Sequence, residues 1–537
     1  MTTGYQRLCV DSIIPVSSTL VIALALRTVL QLNVVASGIA VVLIYPVAKH
    51  LFRSRKALSI APGPTLWPII GNVHQIPSEH PWLTYSKWAK TYGDIIHLDA
   101  VGQPIIVLNS ANIARELLVK RSSIYSGRPH LVMAGDLAGM GQSLALQPYG
   151  EEWRRQRKLA NQEYNQTAVL RYSHVQEAQA RTFVQRFLKN PTSLQSELSL
   201  GMAAVILEAN FGYVVKSEED PFYKWALVTM EDFNQASRPG AFLVDFIPQL
   251  QYLPEWMPGT GFLQLAKTYR KNMEVATWEP FLWAKDNILK GTARMPSLCA
   301  TTLLKEEPVS EADEASLVLT AAALFGGSLD TSTSSLLSFF LAMLHYPEVQ
   351  AKGRAEIDAV IGSGRLPSVS DRASLPYVRS IITEIYRWAP AAPIGIPHAL
   401  DQDDVYNGIH VPKGSLIIAN IWHMLHDPEA YPEPKAFRPE RFRGSDAEMQ
   451  KVTDVAFGFG RRACPGMQMA QGTLFAFAAT ILATCEIVPM LDAYGKPVVP
   501  DIAYTSGVIS FPQDVKCMLR PRSPQAKALL EQSLDSV

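Results

Sequence analysis

With 537 residues, 48% of them hydrophobic and 18% charged, the chain has enough apolar side chains for a large core and too few charges for disorder. Its 49 Lys and Arg balance 49 Asp and Glu, so no basic excess argues for nucleic acid, and none is expected as a partner. The five cysteines, Cys9, Cys299, Cys464, Cys485 and Cys517, lie far apart without a CxxC pair, which excludes a disulfide framework or a structural zinc site as the organising principle.

The first element is an uncharged stretch, 28–48, in which 15 of 21 residues are apolar. At about 1.5 Å per residue it would span roughly 31 Å as a helix, close to the hydrocarbon thickness of a bilayer. Lys49, His50, Arg53, Arg55 and Lys56 come directly after it, whereas only Arg7 and Arg27 precede it against Asp11. The excess of positive charge on that side predicts a retained anchor, residues 1–56, crossing the endoplasmic reticulum membrane once, with the bulk of the protein in the cytosol. An earlier apolar run, 12–26, carries Pro15, and whether it also enters the bilayer stays open. Pro62, Pro64 and Pro68 then favour a stiff, extended connector. No repeat or long Gly/Ser linker divides the remainder of the chain, so 57–537 is expected to be one catalytic domain. Helical patterning dominates it, as in 316–344 and 467–485, with short strand-like runs such as 94–109, which predicts a mostly α fold with a small β-rich lobe.

Four segments could carry chemistry. Trp153-Arg-Arg-Gln-Arg157 reads by itself as a basic helix face. The helical stretch 321–340 contains Gly326 and Gly327, and since an interior Gly costs about 1 kcal/mol relative to Ala, two in a row point to close packing or a kink. Glu384 and Arg387 stand at i and i+3, which alone describes a solvated pair. The most informative segment is Phe457-Gly-Phe-Gly-Arg-Arg-Ala-Cys-Pro-Gly466. One reading is a dinucleotide fingerprint at Gly458, Gly460 and Ala463 after a strand at 452–457, with Glu486 further on, but only 71 residues lie beyond Gly466, too few to complete a doubly wound domain. A second is a nucleophilic Cys464 activated at a helix N-terminus, for which a neighbouring base is missing. A third is a thiolate ligand to haem iron, which needs one deprotonated Cys, backbone N–H groups turned to the sulfur, and glycines that admit a flat macrocycle.

At this segment the chain resembles the cytochrome P450 family, whose signature FxxGxRxCxG is matched at Phe457, Gly460, Arg462, Cys464 and Gly466. The other segments resemble family motifs in the same order: WxxxR at Trp153 and Arg157, the distal-helix motif at 327–332 with Asp330 and Thr331, and ExxR at Glu384 and Arg387. Phe437-Arg-Pro-Glu-Arg-Phe442 resembles the loop that supplies Arg441 as a third partner. The departure is Ser328, where the family has its second distal Gly. The connector 62–72 and Ile-Pro-His398 look most like the fungal biosynthetic branch that includes O-methylsterigmatocystin oxidoreductase.

The resemblance implies the cytochrome P450 fold, with haem b between the distal and Cys-bearing proximal helices. Cys464 would be the axial iron ligand in a loop with Phe457 and Gly458. Trp153, Arg157, His398 and Arg462 would hold the propionates, and Glu384, Arg387 and Arg441 would form a structural ion-pair network. Asp330 and Thr331 would guide protons to dioxygen. The implied activity is a monooxygenase that inserts one oxygen atom of O2 into a lipophilic small molecule of terpenoid, polyketide or indole type. Electrons would come from NADPH through a membrane-bound cytochrome P450 reductase. The alternative is a haem-thiolate isomerase or dehydratase acting without O2. By the same resemblance, 131–146, 233–246, 325–331, 393–396 and 506–511 would wall the substrate pocket. Arg154, Arg155 and Lys158 are left to face an acidic electron donor, and Phe242, Leu243, Trp256 and Met257 to dip into the bilayer.

Overall fold

The computed structural model describes residues 60–532 except 192, 239, 306–308 and 443–444. The expected anchor, its basic flank and the run 12–26 lie outside the described residues, and among those described no helix is long and apolar enough to cross a membrane.

The strand-like run near the start resolves into β1 (Ile95–Ala100) and β2 (Gln103–Leu108), an antiparallel hairpin placed after helix α1 (Pro81–Tyr92). Far along the chain, β3 (His398–Ala399), the small hairpin β4 (Asp404–Tyr406) and β5 (Ile409–Val411), and β6 (Leu416–Ala419) complete the lobe. Its sheet order is β1-β2-β6-β3, with β6 parallel to β2. A second sheet joins β7 (Cys485–Leu491), β8 (Pro497–Val498) and β9 (Cys517–Pro521) near the C-terminus.

Between and around these lie the main helices: α2 (Glu151–Tyr164), α3 (Ser173–Lys189), α4 (Leu194–Phe211), α5 (Pro221–Ala236), α6 (Gly261–Leu289), α7 (Glu311–His345), α8 (Pro347–Val360), α9 (Pro376–Trp388), α10 (Asp446–Ala456) and α11 (Met467–Thr484). Helix α4 is apolar nearly all round and correspondingly buried; Ser193 caps its first turn and Gly212, at φ +68°, ends it in the left-handed conformation. Helix α7 begins where Ser310 accepts the Asp313 N–H, and Glu311, Asp313 and Glu314 complement its N-terminal dipole. It runs as one continuous helix through Gly326 and Gly327; an added Cβ at Gly326 would meet Met230, so close packing accounts for that glycine, whereas Gly327 has open space beside it. The core forms where α3, α4, α7 and α11 meet: Phe183 contacts Phe187, Phe340 and Phe477 with ring centroids 5.7–6.0 Å apart. The expected helix 467–485 stops one residue short because Cys485 opens β7.

Candidate active site

Helix α10 ends at Ala456, and the chain turns back through Gly458 and Gly460, at φ +79° and +57°. A Cβ on Gly460 would fall 2.2 Å from the Leu118 carbonyl oxygen, so only glycine lets this loop lie against the turn Arg115–Lys120. The loop closes with the Cys464 N–H donating to Phe457 O at 2.8 Å, and α11 starts at Met467. Cys299, Cys485 and Cys517 are buried, whereas the Cys464 side chain is accessible although set deep in the protein. Burial pushes its thiol up, while the Gly466 N–H and the Arg157 guanidinium favour the thiolate.

This geometry removes the dinucleotide reading. Residues 452–457, expected as a strand, belong to α10 and its cap, the glycines lead into the short turn Gly460–Arg462, and Glu486 on β7 pairs with Arg520 and Arg354. The nucleophile reading lacks its base as well, since among the described residues no carboxylate or imidazole hydrogen-bonds to Cys464.

Around the loop, half-buried cations gather, and among the described residues none of them has an ion-pair partner. Arg462 donates to the carbonyls of Ser126 and Gln147 at 2.9 and 2.7 Å, and its guanidinium carbon lies 4.6 Å over the Trp153 ring. Arg157 donates to Ala463 O. Arg128 donates to Ala145, Ile396 and Pro397 carbonyls, each at 2.8 Å. Burial lowers the affinity of all three for their protons; Arg462 comes down to about 10 with Arg157 adding repulsion, and Arg128 falls well below its usual range with Arg462 doing the same. Among the described residues none of the three makes an ion pair. The Trp153 indole N–H is buried and has no acceptor. A site of unpaired guanidiniums and an orphaned donor fits a ligand that brings carboxylates with it, as haem does with its propionates.

His398 lies in the same cluster, Nδ1 at 2.8 Å from Tyr125 O. Burial and the nearby Arg128 push its pKa down to about 3, so with Nδ1–H on that carbonyl the neutral ring presents an acceptor at Nε2. It becomes a donor to a carboxylate only when that carboxylate's own charge draws in the second proton.

Across from the Cys loop stands α7. A Cβ placed on Gly466 would lie 3.8 Å from Cys464 Sγ and 3.9 Å from Ser328 Oγ, so Ser328 faces the loop that carries the cysteine. Thr331 Oγ1 donates to Gly327 O at 2.7 Å. Asp330 accepts from Asn234 Nδ2 at 3.2 Å, and burial raises its carboxyl to about 6. Of the expected walls, 131–146 and 233–246 meet in one apolar cluster that includes Val132, Met133, Met140 and Val244, with Phe233, Phe242 and Ile396 against it. Ile394 instead belongs to the core of the β-rich lobe.

The expected ion-pair network is present. Glu384 and Arg387, both fully buried, form two hydrogen bonds of 2.7 and 2.8 Å, and Arg441 Nε reaches Glu384 Oε1 at 3.0 Å. Arg387 also donates to Leu425, Pro434 and Ala436 carbonyls, which fastens α9 to the segment ahead of the Cys loop. Of the basic residues left on α2, Arg155 is engaged by Glu151, Glu152 and Asp313 at 3.5–3.6 Å and does not stand free for a donor. Arg154 and Lys158 remain exposed, beside a shallow groove of about 460 Å³. Sequence reasoning missed Arg128 and Asn234, neither of which falls in a recognisable spacing.

Residues 61–500 match the family model described as Cytochrome P450. The chain is 56% identical over 482 residues to "Cytochrome P450 monooxygenase 105" of Postia placenta, covering 90% of this chain and 92% of that protein. It is 39% identical over 512 residues to "Cytochrome P450 monooxygenase claR" of Ampulloclitocybe clavipes, covering 94% of each. A zebra fish cytochrome P450 solved with progesterone is similar with a TM-score of 0.68 at 25% identity, covering 82% of this chain and 99% of that one.

Proposed function

The chain belongs to the cytochrome P450 family, and from that premise we propose roles for its residues. The protein is a P450 monooxygenase, an enzyme that uses O2 and a small-molecule substrate, and its family binds haem through a cysteine thiolate. Cys464 is that ligand in this chain, within the loop of Phe457 and Gly458. Arg128, Arg157, Arg462 and Trp153 receive the propionates, with His398 as a further donor once protonated. Bound there, the haem supplies oxygen activation, and thiolate ligation favours O–O cleavage. Asp330, held close to neutral pH by burial, takes up and releases protons beside Thr331.

The apolar cluster of Val132, Met133, Phe233 and Val244 supports a lipophilic substrate of terpenoid, polyketide or indole type, oriented by few polar groups. The exposed Arg154 and Lys158 support docking of an acidic, NADPH-fed reductase. Residues 1–56 are proposed as the endoplasmic reticulum anchor, with the catalytic domain cytosolic. Relatives named as monooxygenases favour oxygen insertion over the isomerase or dehydratase alternative.

The observation that carries this reading is the accessible Cys464, on a loop that meets Ser328 of α7, beside three half-buried arginines that form no ion pair among the described residues. The test is the carbon monoxide difference spectrum of the reduced enzyme. Wild type should give the thiolate-haem band and Cys464→Ala should lose it; persistence of the band in the variant would overturn the ligand assignment. Reconstitution with reductase, NADPH and a lipophilic panel then tests for oxygen-dependent product by mass spectrometry.

A further inference from the structure

Helices α5 and α7 meet at successive turns. A Cβ on Gly326 would fall 2.7 Å from Met230 Sδ, which sets how closely the helices approach. One turn further along both, Asn234 Nδ2 donates to Asp330 Oδ2 at 3.2 Å. The other end of the same amide, Asn234 Oδ1, is buried without a donor, an arrangement that folding ordinarily avoids.

The charged group acting on Asp330 is Glu231 of α5, which reinforces the effect of burial and raises the carboxyl to about 6 against the opposing Asn234 N–H. Glu231 itself accepts from Gln235, whose Oε1 accepts from Tyr269 of α6. Among the described residues no Lys or Arg pairs with Asp330. An amide facing an ionised carboxylate can satisfy only its N–H. Facing the acid form it can satisfy both ends, because the carboxyl O–H then reaches the amide oxygen.

We propose that Asn234 is a positioning residue for Asp330: it holds the carboxyl from the neighbouring helix and accepts its O–H on Oδ1 in the acid form, tying protonation of the distal acid to the seating of α5 on α7. Asn234 neither gains nor loses a proton. The inference rests on the reading of Asp330 as a proton carrier and deepens it. Because α5 also brings Phe233 to the pocket wall, a substrate that shifts α5 alters the hold on the proton it will need.

Infrared difference spectroscopy of the haem-loaded, substrate-free enzyme tests this, with each form referenced to its own Asp330→Asn counterpart so that only the Asp330 carboxyl signal survives. The parent band should titrate with a midpoint of about 6. Asn234→Leu, close in volume, should move the acid C=O band to higher wavenumber by removing the acceptor. Asn234→Asp should raise the midpoint by about one pH unit or more, since two carboxyls in one site resist ionising together. An unmoved band in the Leu variant, or an unmoved midpoint in the Asp variant, overturns the proposal, and the Leu variant decides alone if the Asp variant does not load haem. Coupling of NADPH oxidation to product separates the two readings: unchanged coupling in Asp330→Asn rejects the proton-carrier role, while the infrared shifts still report on Asn234.

Discussion

An arginine enclosed by neutral carbonyls, as Arg128 is by those of Ala145, Ile396 and Pro397, keeps its charge at a cost that such hydrogen bonds do not cover. The same holds for Arg157 and Arg462, and the repulsion among them makes the group less favourable still. A ligand with two carboxylates reverses the sign, because each guanidinium then gains a charge-assisted partner in a low-dielectric setting. Arg128→Met should therefore yield protein with a markedly lower haem-to-protein ratio after gel filtration. Arg128→Lys should recover part of the loss, since it restores the charge without the planar fork. Full haem retention in the Met variant would place the propionates elsewhere. Trp153, Arg157 and Arg462 were legible in the sequence because they sit at fixed spacings within helices or the Cys loop. Arg128 was not, because its position depends on the carbonyls of 145 and 396–397, which approach it only through the fold. Asn234 was hidden for the same reason: its partner, Asp330, is on another helix.

At the scale of elements, the Cys loop is held from two sides. Gly460 presses it against the turn Arg115–Lys120, and on the other side α9 is tied to the preceding segment through Arg387 and Arg441. Among the described residues Glu384 is the carboxylate to which both of these arginines pair, and Arg438 N donates to it too. Glu384→Ala leaves Arg387 buried and unpaired, at a cost of about 3–5 kcal/mol, a large share of the stability of an ordinary domain. The variant should accumulate poorly and carry no haem, as read by the carbon monoxide spectrum per unit of folded protein; a normal spectrum would reject the structural role. The sequence offered this pair as i and i+3 on a helix, but burial, the property that makes it matter, needs the tertiary contacts of α9. Elements were legible where periodicity was long, as in α7, expected over 316–344 and found over Glu311–His345. They were misread where an apolar run was short. Residues 452–457 look like a strand in isolation, yet the Ser445 cap and the acidic first turn of α10 draw them into a helix.

For the whole molecule, the question is whether residues 57–537, with 43 Lys and Arg against 48 Asp and Glu, touch a membrane apart from the proposed anchor. The segment joining α5 to α6 exposes Leu243 (70%), Tyr252 (80%) and Trp256 (62%), whereas Phe242 and Met257, expected to share this role, are partly covered, Phe242 by the pocket cluster. Transferring a Leu or Trp side chain out of water gains about 1.5–3 kcal/mol, so two such residues amount to weak, reversible association, far short of the retention that a membrane-spanning helix gives. The exposed apolar patch and the anchor are then separable by experiment. The form lacking residues 1–56 should partition partly with neutral phosphatidylcholine vesicles in flotation, and the pair Leu243→Ser and Trp256→Ser should weaken that partition by about a hundredfold or more. Neutral lipid matters, because it keeps surface charge from imitating the effect. If the shortened form does not float at all, or floats equally well with both serines in place, this surface does not touch lipid, and any membrane association of the protein is left to the proposed anchor.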